Sequence, residues 1–303
     1  MPTADPERAR LAEADGGERD WRLWGPYLSD RQWGTVREDY SPDGDAWRYL
    51  PHDHARSRAY RWGEDGIAGI SDARQLLCLA LALWNGRDPI LKERMFGLSN
   101  PEGNHGEDVK ELYWHLDATP THSYLKFLYR YPQAAFPYDD LLGWNRRRGR
   151  LEPEYEILDT GLFDAGRFFD VTVEYAKAAP DDIVLAVTVL NRGPDEATLH
   201  LLPQLWFRNV WSWRPSPDPR PSLTRAGPGA IRAVHAGLGT YTVGWEGAPE
   251  PLFCENDTNR RRHFGEADAA GPFKDGINAF VVEGDESAVS RQGGTKAALH
   301  YRL

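Results

Sequence analysis

A period-two alternation of apolar side chains over residues 168–207 restricts the fold more than any other feature. The stretch reads FFDVTVEYAKAAPDDIVLAVTVLNRGPDEATLHLLPQLWF, and apolar residues recur at alternate positions in three consecutive runs. The runs contain Phe169, Val171 and Val173, then Ile183, Leu185, Val187 and Val189, then Leu199, Leu201 and Leu205. This period gives a strand one buried and one exposed face. We interpret the three runs as successive strands of an antiparallel meander.

Short clusters of Gly, Pro, Asp and Asn separate the apolar stretches elsewhere, as in SPDGD, NGRDP, NPEGNHGED, NRGPDE and SPDPRP. Two more strands are predicted in ELYWHLDATPTHSYLKFLYRYPQ, and others in TYTVGW, AFVVEG and AALHYRL. The stretch SDARQLLCLALALWN is ambiguous, because its Ser-Asp start would cap a helix while its alternating Leu residues suit a strand, which we favour. The sequence therefore predicts an all-β fold, a large antiparallel β-sandwich with at most a few short helices.

The first twenty residues, MPTADPERARLAEADGGERD, are rich in Ala and charged residues and contain a Gly pair. We expect residues 1–20 to form a loose tail, because the stretch has little apolar surface to bury. A length of 303 residues suits one large β domain or two ordinary ones. We assign residues 21–303 to one sandwich domain.

Charge and cysteine content argue against several classes of protein. Lys and Arg number 36 against 46 Asp and Glu, a net charge of −10, and the basic residues are scattered apart from NRRRGR and NRRRH. This distribution does not favour a nucleic-acid partner. Cys78 and Cys254 both have apolar neighbours, which suits buried thiols in a reduced, cytoplasmic protein. No run of some 18 apolar residues is present to cross a bilayer, so no membrane partner is expected.

The segment PHDHARSRAYRWGEDG, residues 51–66, concentrates two histidines, three arginines and three carboxylates around Trp62. On a strand, the spacing of His52 and His54 would place both imidazoles on one face, as a pair of metal ligands requires. The other histidines are scattered and offer no complete ligand set. We therefore expect His52 and His54 to hydrogen-bond structurally, with no metal and no cofactor.

Glu64 and Asp65 raise the question of glycoside hydrolysis, which uses a carboxylic acid and a carboxylate. Adjacent side chains point apart on extended backbone, so the second group would have to come from elsewhere, such as Asp139 or Asp140. The nearby Arg58, Arg61 and Trp62 favour a salt-bridged support in which guanidinium groups hold the carboxylates.

Aromatic residues make up 12% of the chain, and three tryptophans lie close together in LPQLWFRNVWSWRP. Trp206, Trp211 and Trp213 would stack on pyranose rings if they lined a cleft. The alternative, which we favour, is that they pack at the edge of the sheet.

Three long blocks of the sequence resemble one enzyme family. They are RLWGPYLSDRQWGTVREDYSPDGDAWRYLPHDHARSRAYRWGEDGIAGISD, then ALALWNGRDPILKERMFGLSNPEGNHGEDVKELYWHLDATPTHSYLKFLYRYPQAAFPYDDL, then LPQLWFRNVWSW. The chain resembles, from about Trp21 to its last residue, the amino-terminal region of bacterial glucosidases similar to glycoside hydrolase family 63, the family of mannosyl-oligosaccharide glucosidase. The resemblance implies an inverting α-glycosidase with an amino-terminal super-β-sandwich and a carboxy-terminal (α/α)₆ barrel that carries the catalytic carboxylates.

The chain departs from that pattern because no series of amphipathic helices follows the predicted strands. We expect it to contain the sandwich alone, cut short at its carboxy-terminal end, and no catalytic residue. The resemblance implies that Arg61, Trp62, Glu64 and Asp65 lie on a loop that reaches toward the barrel, with His52 and His54 in the same supporting segment.

Three hypotheses on function remain. In the first, which we favour, the chain is the non-catalytic sandwich of a family 63-like α-glucosidase that acts on an α-linked glucoside or oligosaccharide, with its barrel in cis or in trans. The second is a free-standing carbohydrate-binding sandwich. The third is an autonomous glycosidase, which needs two carboxylates about 5 to 9.5 Å apart in a cleft.

Overall fold

The computed structural model describes residues 5–32, 50–98, 103, 108–213 and 217–303. The turn cluster SPDGD and most of NPEGNHGED lie outside the described residues. The strands are β1 (Trp24–Pro26), β2 (Ile67–Asp72), β3 (Leu77–Trp84), β4 (Gly97–Leu98), β5 (Asp108–Val109), β6 (Leu112–Ala118), β7 (Tyr124–Pro132), β8 (Phe168–Ala179), β9 (Asp182–Asn191), β10 (His200–Phe207), β11 (Ser222–Arg225), β12 (Ala230–His235), β13 (Gly239–Gly244), β14 (Glu250–Cys254), β15 (Gly293–Gly294) and β16 (Lys296–Arg302).

The described residues contain few helices, all of them short. Those with both ends described are α1 (Pro6–Asp15), α2 (His52–Ala55), α3 (Tyr138–Arg147), α4 (Arg260–Phe264) and α5 (Gly276–Asn278), with 3₁₀ turns at Ile157–Thr160 and Glu286–Ala288 and a π-helical turn at Ala279–Glu283. Within the described residues, no helix is long and apolar enough to span a membrane.

The strands form an antiparallel β-sandwich, as the sequence predicts. The six-stranded sheet has the order β1-β2-β3-β10-β16-β14, the meander sheet β6-β7-β8-β9 and the small sheet β13-β12-β11-β15, while β4 pairs with β5. Their inner faces share one core, to which Leu81 contributes from the six-stranded sheet, Val171 from the meander sheet and Ile231 from the small sheet. The described residues contain no helical barrel.

The strand prediction for residues 71–85 is confirmed, and so are the hairpin β6-β7 and the strands β8 and β9. The meander, however, does not continue into β10. β9 is an edge strand of the meander sheet, and β10 pairs instead with β3 and β16 of the six-stranded sheet. Alternation shows which residues of a strand face the core. It does not show which sheet the strand joins, because the inner faces of both sheets in a sandwich carry the same pattern.

The strand predicted for AFVVEG is wrong. Residues 279–283 form the π-helical turn, and Gly284 ends it at a φ of 75°. Phe280 and Val281 are buried against Leu252 and Cys254 on the outer face of the six-stranded sheet. A short apolar run suits a buried helical turn as well as a strand, and here tertiary packing selects the helix.

Residues 6–15 form helix α1 where the sequence suggested a loose tail. Asp5 caps the helix by accepting a hydrogen bond from the Glu7 N–H, and Pro6 stands in the first turn. Glu7 also accepts hydrogen bonds from the N–H and Oγ1 of Thr121, at 2.8 and 2.7 Å, and one from Ser123. These polar contacts hold the helix against the β6-β7 turn.

The outer face of the six-stranded sheet positions the candidate site. Cys78 and Ala80 of β3 and Trp206 of β10 contact Tyr27 and Tyr60 on this face. Cys78 and Cys254 are both buried free thiols. The loop that follows α2 and the segment after β14 are joined on this side of the sheet, since the Ala59 N–H donates to Thr258 Oγ1 at 3.0 Å.

Candidate functional site

The two histidines of the predicted site lie on α2, a single helical turn, and not on a strand. Residues two apart on a helix point in different directions, so the shared face expected for a metal pair is not formed. His52 contacts the rings of Phe96 and Tyr138, at 5.2 and 5.3 Å between centroids, whereas His54 lies 5.0 Å from the ring of His263. The described residues contain no group of three His, Cys, Asp or Glu side chains that could hold a metal ion.

Both imidazoles favour the neutral form. Burial, with the neighbouring Arg94 and Lys92 cations, holds the pKa of His52 well below its ordinary value. Burial and Arg58 lower the pKa of His54 in the same way. Neutral rings suit packing against aromatic side chains.

Glu64 closes the turn that presents Trp62. Its carboxylate accepts hydrogen bonds from the N–H of Arg61, at 3.2 Å, and of Trp62, at 2.8 Å. Gly63 has a φ of 92°, and a Cβ there would lie 2.1 Å from Oε1 of Gln32, so the turn requires glycine. Burial and the adjacent Asp65 carboxylate raise the pKa of Glu64. The carboxyl group holds the backbone of its own turn.

Asp65 forms a buried ion pair with Lys274. The Lys274 ammonium also donates to the carbonyl of Ala55 at 2.8 Å, and Tyr27 donates its hydroxyl to the carbonyl of Asp65 at 2.8 Å. Beneath this pair, Lys296 of β16 forms a second buried ion pair with Glu93 at 2.5 Å. Buried charges that satisfy one another in this way fix the position of the loop on the sheet.

Trp62 and Trp213 form an aromatic pair above this base. Their ring centroids are 5.0 Å apart with 36° between the planes. The Arg61 guanidinium lies 5.0 Å from the Trp213 ring centroid and donates to Ser212 Oγ at 2.7 Å, while that of Arg208 lies 5.4 Å from the Trp62 ring. Trp213 is 42% exposed. We call Arg61, Trp62, Arg208 and Trp213 the tryptophan platform.

Trp211 is held in place beside the platform by a hydrogen bond and by an arginine. Its indole N–H donates to Asp257 at 3.2 Å, and the Arg220 guanidinium lies 4.9 Å from its ring. Asn209 donates to the backbone carbonyl of Asn256 at 2.7 Å and to the Asp257 carboxylate at 2.8 Å. The segment after β10 is thereby held against the segment after β14.

Trp206 does not belong to this surface. It is only 2% exposed, and its ring packs edge-on against Tyr60 at 5.2 Å. Its position on β10 directs it into the layer between the sheet and the covering loops, where no sugar can reach it. Of the three tryptophans considered for sugar stacking, only Trp213 is exposed, and Trp211 is half-buried.

The structure thus brings Arg61 and Trp62 together with Trp213 and places Glu64 and Asp65 beneath them, while His52 and His54 turn away to other contacts. Sequence reasoning missed Lys274 and Arg208. Lys274 lies in PFKDG, and nothing in that stretch indicates that this lysine is buried. Nothing in the sequence distinguishes Arg208 from other arginines at strand ends. Only tertiary contacts show their roles.

The chain is similar to the uncharacterized protein YMR196W of Saccharomyces cerevisiae, with 41% identity over 333 aligned residues. The alignment covers 98% of this chain and 31% of the yeast protein, so the chain spans about a third of the length of that relative. No family model and no solved structure matches the chain.

Proposed function

We propose that this chain is the sandwich portion of a longer α-glucosidase similar to glycoside hydrolase family 63, and that the tryptophan platform contacts a helical barrel domain which carries the catalytic carboxylates. The proposed substrate is an α-linked glucoside or oligosaccharide. The resemblance to that family supplies the reaction class. The platform is the observation that carries the structural part of the proposal.

The platform has the composition of a protein interface. Tryptophan and arginine are the side chains that contribute most often to binding free energy at interfaces. Here Arg61 and Trp62 stand on a turn whose carboxylates are held by backbone N–H groups and by a buried lysine. A surface fixed in advance loses little conformational entropy when a partner docks.

The alignment covers 98% of this chain but only 31% of the yeast protein. This difference supports the proposal that the chain corresponds to one portion of a longer protein. We also place the protein in the cytoplasm as part of this proposal, supported by two buried thiols that are not joined.

The contacts of Glu64 and Asp65 favour a supporting role over a catalytic one. Both oxygens of Glu64 accept hydrogen bonds from backbone N–H groups of its own loop, and Asp65 is paired with Lys274. A glycosidase acid must face the leaving oxygen of its substrate in a cleft. These two carboxylates, 2% and 5% exposed, face the protein interior instead.

The test is an assay against 4-nitrophenyl α-D-glucoside and α-linked disaccharides. This chain is assayed alone and together with a separately expressed polypeptide that comprises the part of the yeast relative outside the alignment. We expect no turnover by the chain alone, and release of β-glucose by the mixture, detected by NMR before mutarotation, as an inverting enzyme requires. Turnover by the chain alone that Glu64→Gln or Asp65→Asn abolishes would show that the sandwich performs the chemistry.

A second candidate function is a free-standing carbohydrate-binding sandwich, favoured by the exposure of Trp213 beside Trp62. An exposed pair of indole rings is a surface on which a pyranose stacks. Binding of maltose to the chain alone, lost in Trp213→Ala and retained in Trp144→Ala, would support this function over docking to a barrel.

A further inference from the structure

A groove of about 850 Å³ runs along two strands that each end a sheet. Residues 181–187, from the start of β9, line one side, and residues 241–246, from the end of β13, line the other. The floor is the inner face of the six-stranded sheet, which contributes Leu79, Leu205 and Leu299. Because consecutive residues of β9 and β13 line the groove, it follows the edges of these strands and not one face of either sheet.

Both strands have a free edge. Of the described strands, only β8 pairs with β9 and only β12 pairs with β13. The free edge of a strand presents backbone N–H and C=O groups that can pair with an added strand. The groove is therefore bordered by two rows of backbone donors and acceptors.

The sandwich core is open to solvent along this groove. Leu185 and Val187 of β9 and Val243 of β13 point inward and pack against the core, yet all three are only half-buried. The residues directly opposite Val187 and Leu185 on β8 are Val173 and Tyr175, and both are buried. Apolar surface left open in this way marks a site that another chain segment can cover.

β9 and β13 run in the same direction along the groove. Lys177, which is opposite Ile183 at the start of β9, donates to the carbonyl of Trp24. The indole N–H of Trp24 donates to the hydroxyl of Tyr241, near the start of β13, at 3.3 Å. The two strands thus start at the same end of the groove, and one added strand can run antiparallel to both.

Both ends of the groove carry negative charge. Asp181 and Asp182 lie at the start of β9, Glu246 follows the end of β13, and all three side chains belong to exposed residues. Of the described residues that line the groove, none is a lysine or an arginine. A segment with a basic residue at each end would complement these carboxylates.

We propose that the groove binds a single extended peptide segment of a partner protein, with apolar residues at alternate positions and a lysine or arginine at each end. Its backbone pairs with β9 and β13, and its apolar side chains cover the half-buried residues of the core. β13 has six residues, so a matching strand is about 20 Å long at about 3.3 Å per residue.

A free segment fits this groove better than a second folded copy of the chain does. A strand between β9 and β13 uses both of its own edges, whereas the edge strand of a folded sheet has one edge already paired. The inference goes beyond the proposed function, because the groove is lined by none of the four described residues of the tryptophan platform.

The experiment titrates the full chain with the capped peptide acetyl-KVTVTVK-amide, at chain concentrations at which sedimentation shows a monomer. One control peptide, acetyl-KVVVTTK-amide, has the same composition without the alternation. The other, acetyl-EVTVTVE-amide, reverses the charge at both ends. In calorimetric titration we expect the first peptide to bind about tenfold more tightly than either control.

Hydrogen exchange followed by mass spectrometry locates the bound peptide. We expect slower exchange in β9 and β13 with acetyl-KVTVTVK-amide, because N–H groups on their free edges become hydrogen-bonded. β6, the other edge strand of the meander sheet, is the internal control and should exchange as before.

Charge reversal in the chain tests the acidic ends. Glu246→Lys should weaken binding of acetyl-KVTVTVK-amide about fivefold and strengthen binding of acetyl-EVTVTVE-amide, because an exposed attraction becomes a repulsion. Asp164→Lys, at an exposed carboxylate that does not line the groove, is the matched control and should change neither affinity. Circular dichroism confirms that each variant is folded.

No binding, equal binding of the alternating and rearranged peptides, or equal effects of the two variants would overturn the inference. Protection of β6 in place of β9 and β13 would do the same. Protection of both groove strands that rises with chain concentration, without peptide, would assign the groove to a second copy. Protection by the separately expressed remainder of the yeast relative would assign it to a strand of the longer protein and not to a partner.

Discussion

The ion pair between Asp65 and Lys274 is the residue-scale feature on which the platform depends. Both side chains are nearly inaccessible, so the two charges rely on each other in place of water, and the Lys274 ammonium also donates to the carbonyl of Ala55. The loss of one member leaves an unpaired buried charge, which costs more than the pair contributes. The exposed pair between Asp53 and Arg262 joins the same two segments and offers a comparison.

We predict that Lys274→Met lowers the free energy of unfolding by about 3 to 5 kcal/mol. Arg262→Met should lower it by less than about 1 kcal/mol, because water screens the exposed pair. Urea unfolding followed by tryptophan fluorescence measures both. The double variant Asp65→Leu with Lys274→Met should regain much of the loss, and equal effects of the two single variants would contradict the role assigned to the buried pair.

At the residue scale, the sequence indicated which segment matters but not how it is built. Crowding of charge around Trp62 pointed to a support in which guanidinium groups hold the carboxylates. In the structure, backbone N–H groups hold Glu64 and Lys274 pairs with Asp65. The partner of Asp65 lies 209 residues further along the chain, however, and no local pattern marks it. The contrast between buried Trp206 and exposed Trp213 also depends on layers that only the folded chain creates.

At the scale of elements, β10 and β16 bring two histidines together in the six-stranded sheet. His200 Nδ1 and His300 Nε2 are 2.7 Å apart, a hydrogen bond that requires at least one neutral ring. Burial, together with neighbouring cations, lowers the pKa of His300 to about 4 and also lowers the pKa of His200. The stability of this strand pair therefore depends on pH.

We predict that the free energy of unfolding falls as the pH decreases from about 6.5 to about 4, because the unfolded chain takes up protons that the folded His300 does not bind. His300→Asn should reduce the slope over this interval. Urea titrations at several pH values measure the slope, and His115→Asn, at an exposed position, is the control. An unchanged slope in His300→Asn would contradict the prediction.

The edge strand β9 has an apolar outer surface. Residues 183–190 contain no charged side chain, and Val184 is 59% exposed. A free strand edge with such a surface favours association with another chain. We predict concentration-dependent self-association in sedimentation experiments, reduced by Val184→Lys and unaffected by Leu151→Lys, where an exposed loop residue changes in the same way. Equal behaviour of both variants would contradict the role of the edge.

The strand pairings that the sequence identified are those between neighbours in the chain. The β6-β7 hairpin and the β8-β9 pair need only their alternation and the turns between them. The position of β10 depends on strands more than a hundred residues away in one direction and on β16 in the other. The helical turn at residues 279–283 is selected by the sheet that it covers, which a short apolar run does not reveal.

At the scale of the whole molecule, the sandwich combines two surfaces with different properties. A cavity of about 320 Å³ lies between the six-stranded sheet and the meander sheet, whereas the tryptophan platform is exposed and lies on a base of buried ion pairs. The first suits a small molecule and the second a protein partner. The proposed enzyme would therefore use this chain as a support on which a second domain docks.

The central claim is that the platform docks a helical domain, and calorimetric titration of this chain with the separately expressed remainder of the yeast relative tests it most directly. We predict a 1:1 complex with a helix-rich partner, at least tenfold weaker for Trp213→Ala and unchanged for Trp144→Ala. The two tryptophans are equally exposed, at 42%, and each lies beneath an arginine, which makes the control a close match. A partner rich in β-structure, no complex with the unmodified chain, or equal weakening by both variants would contradict the claim.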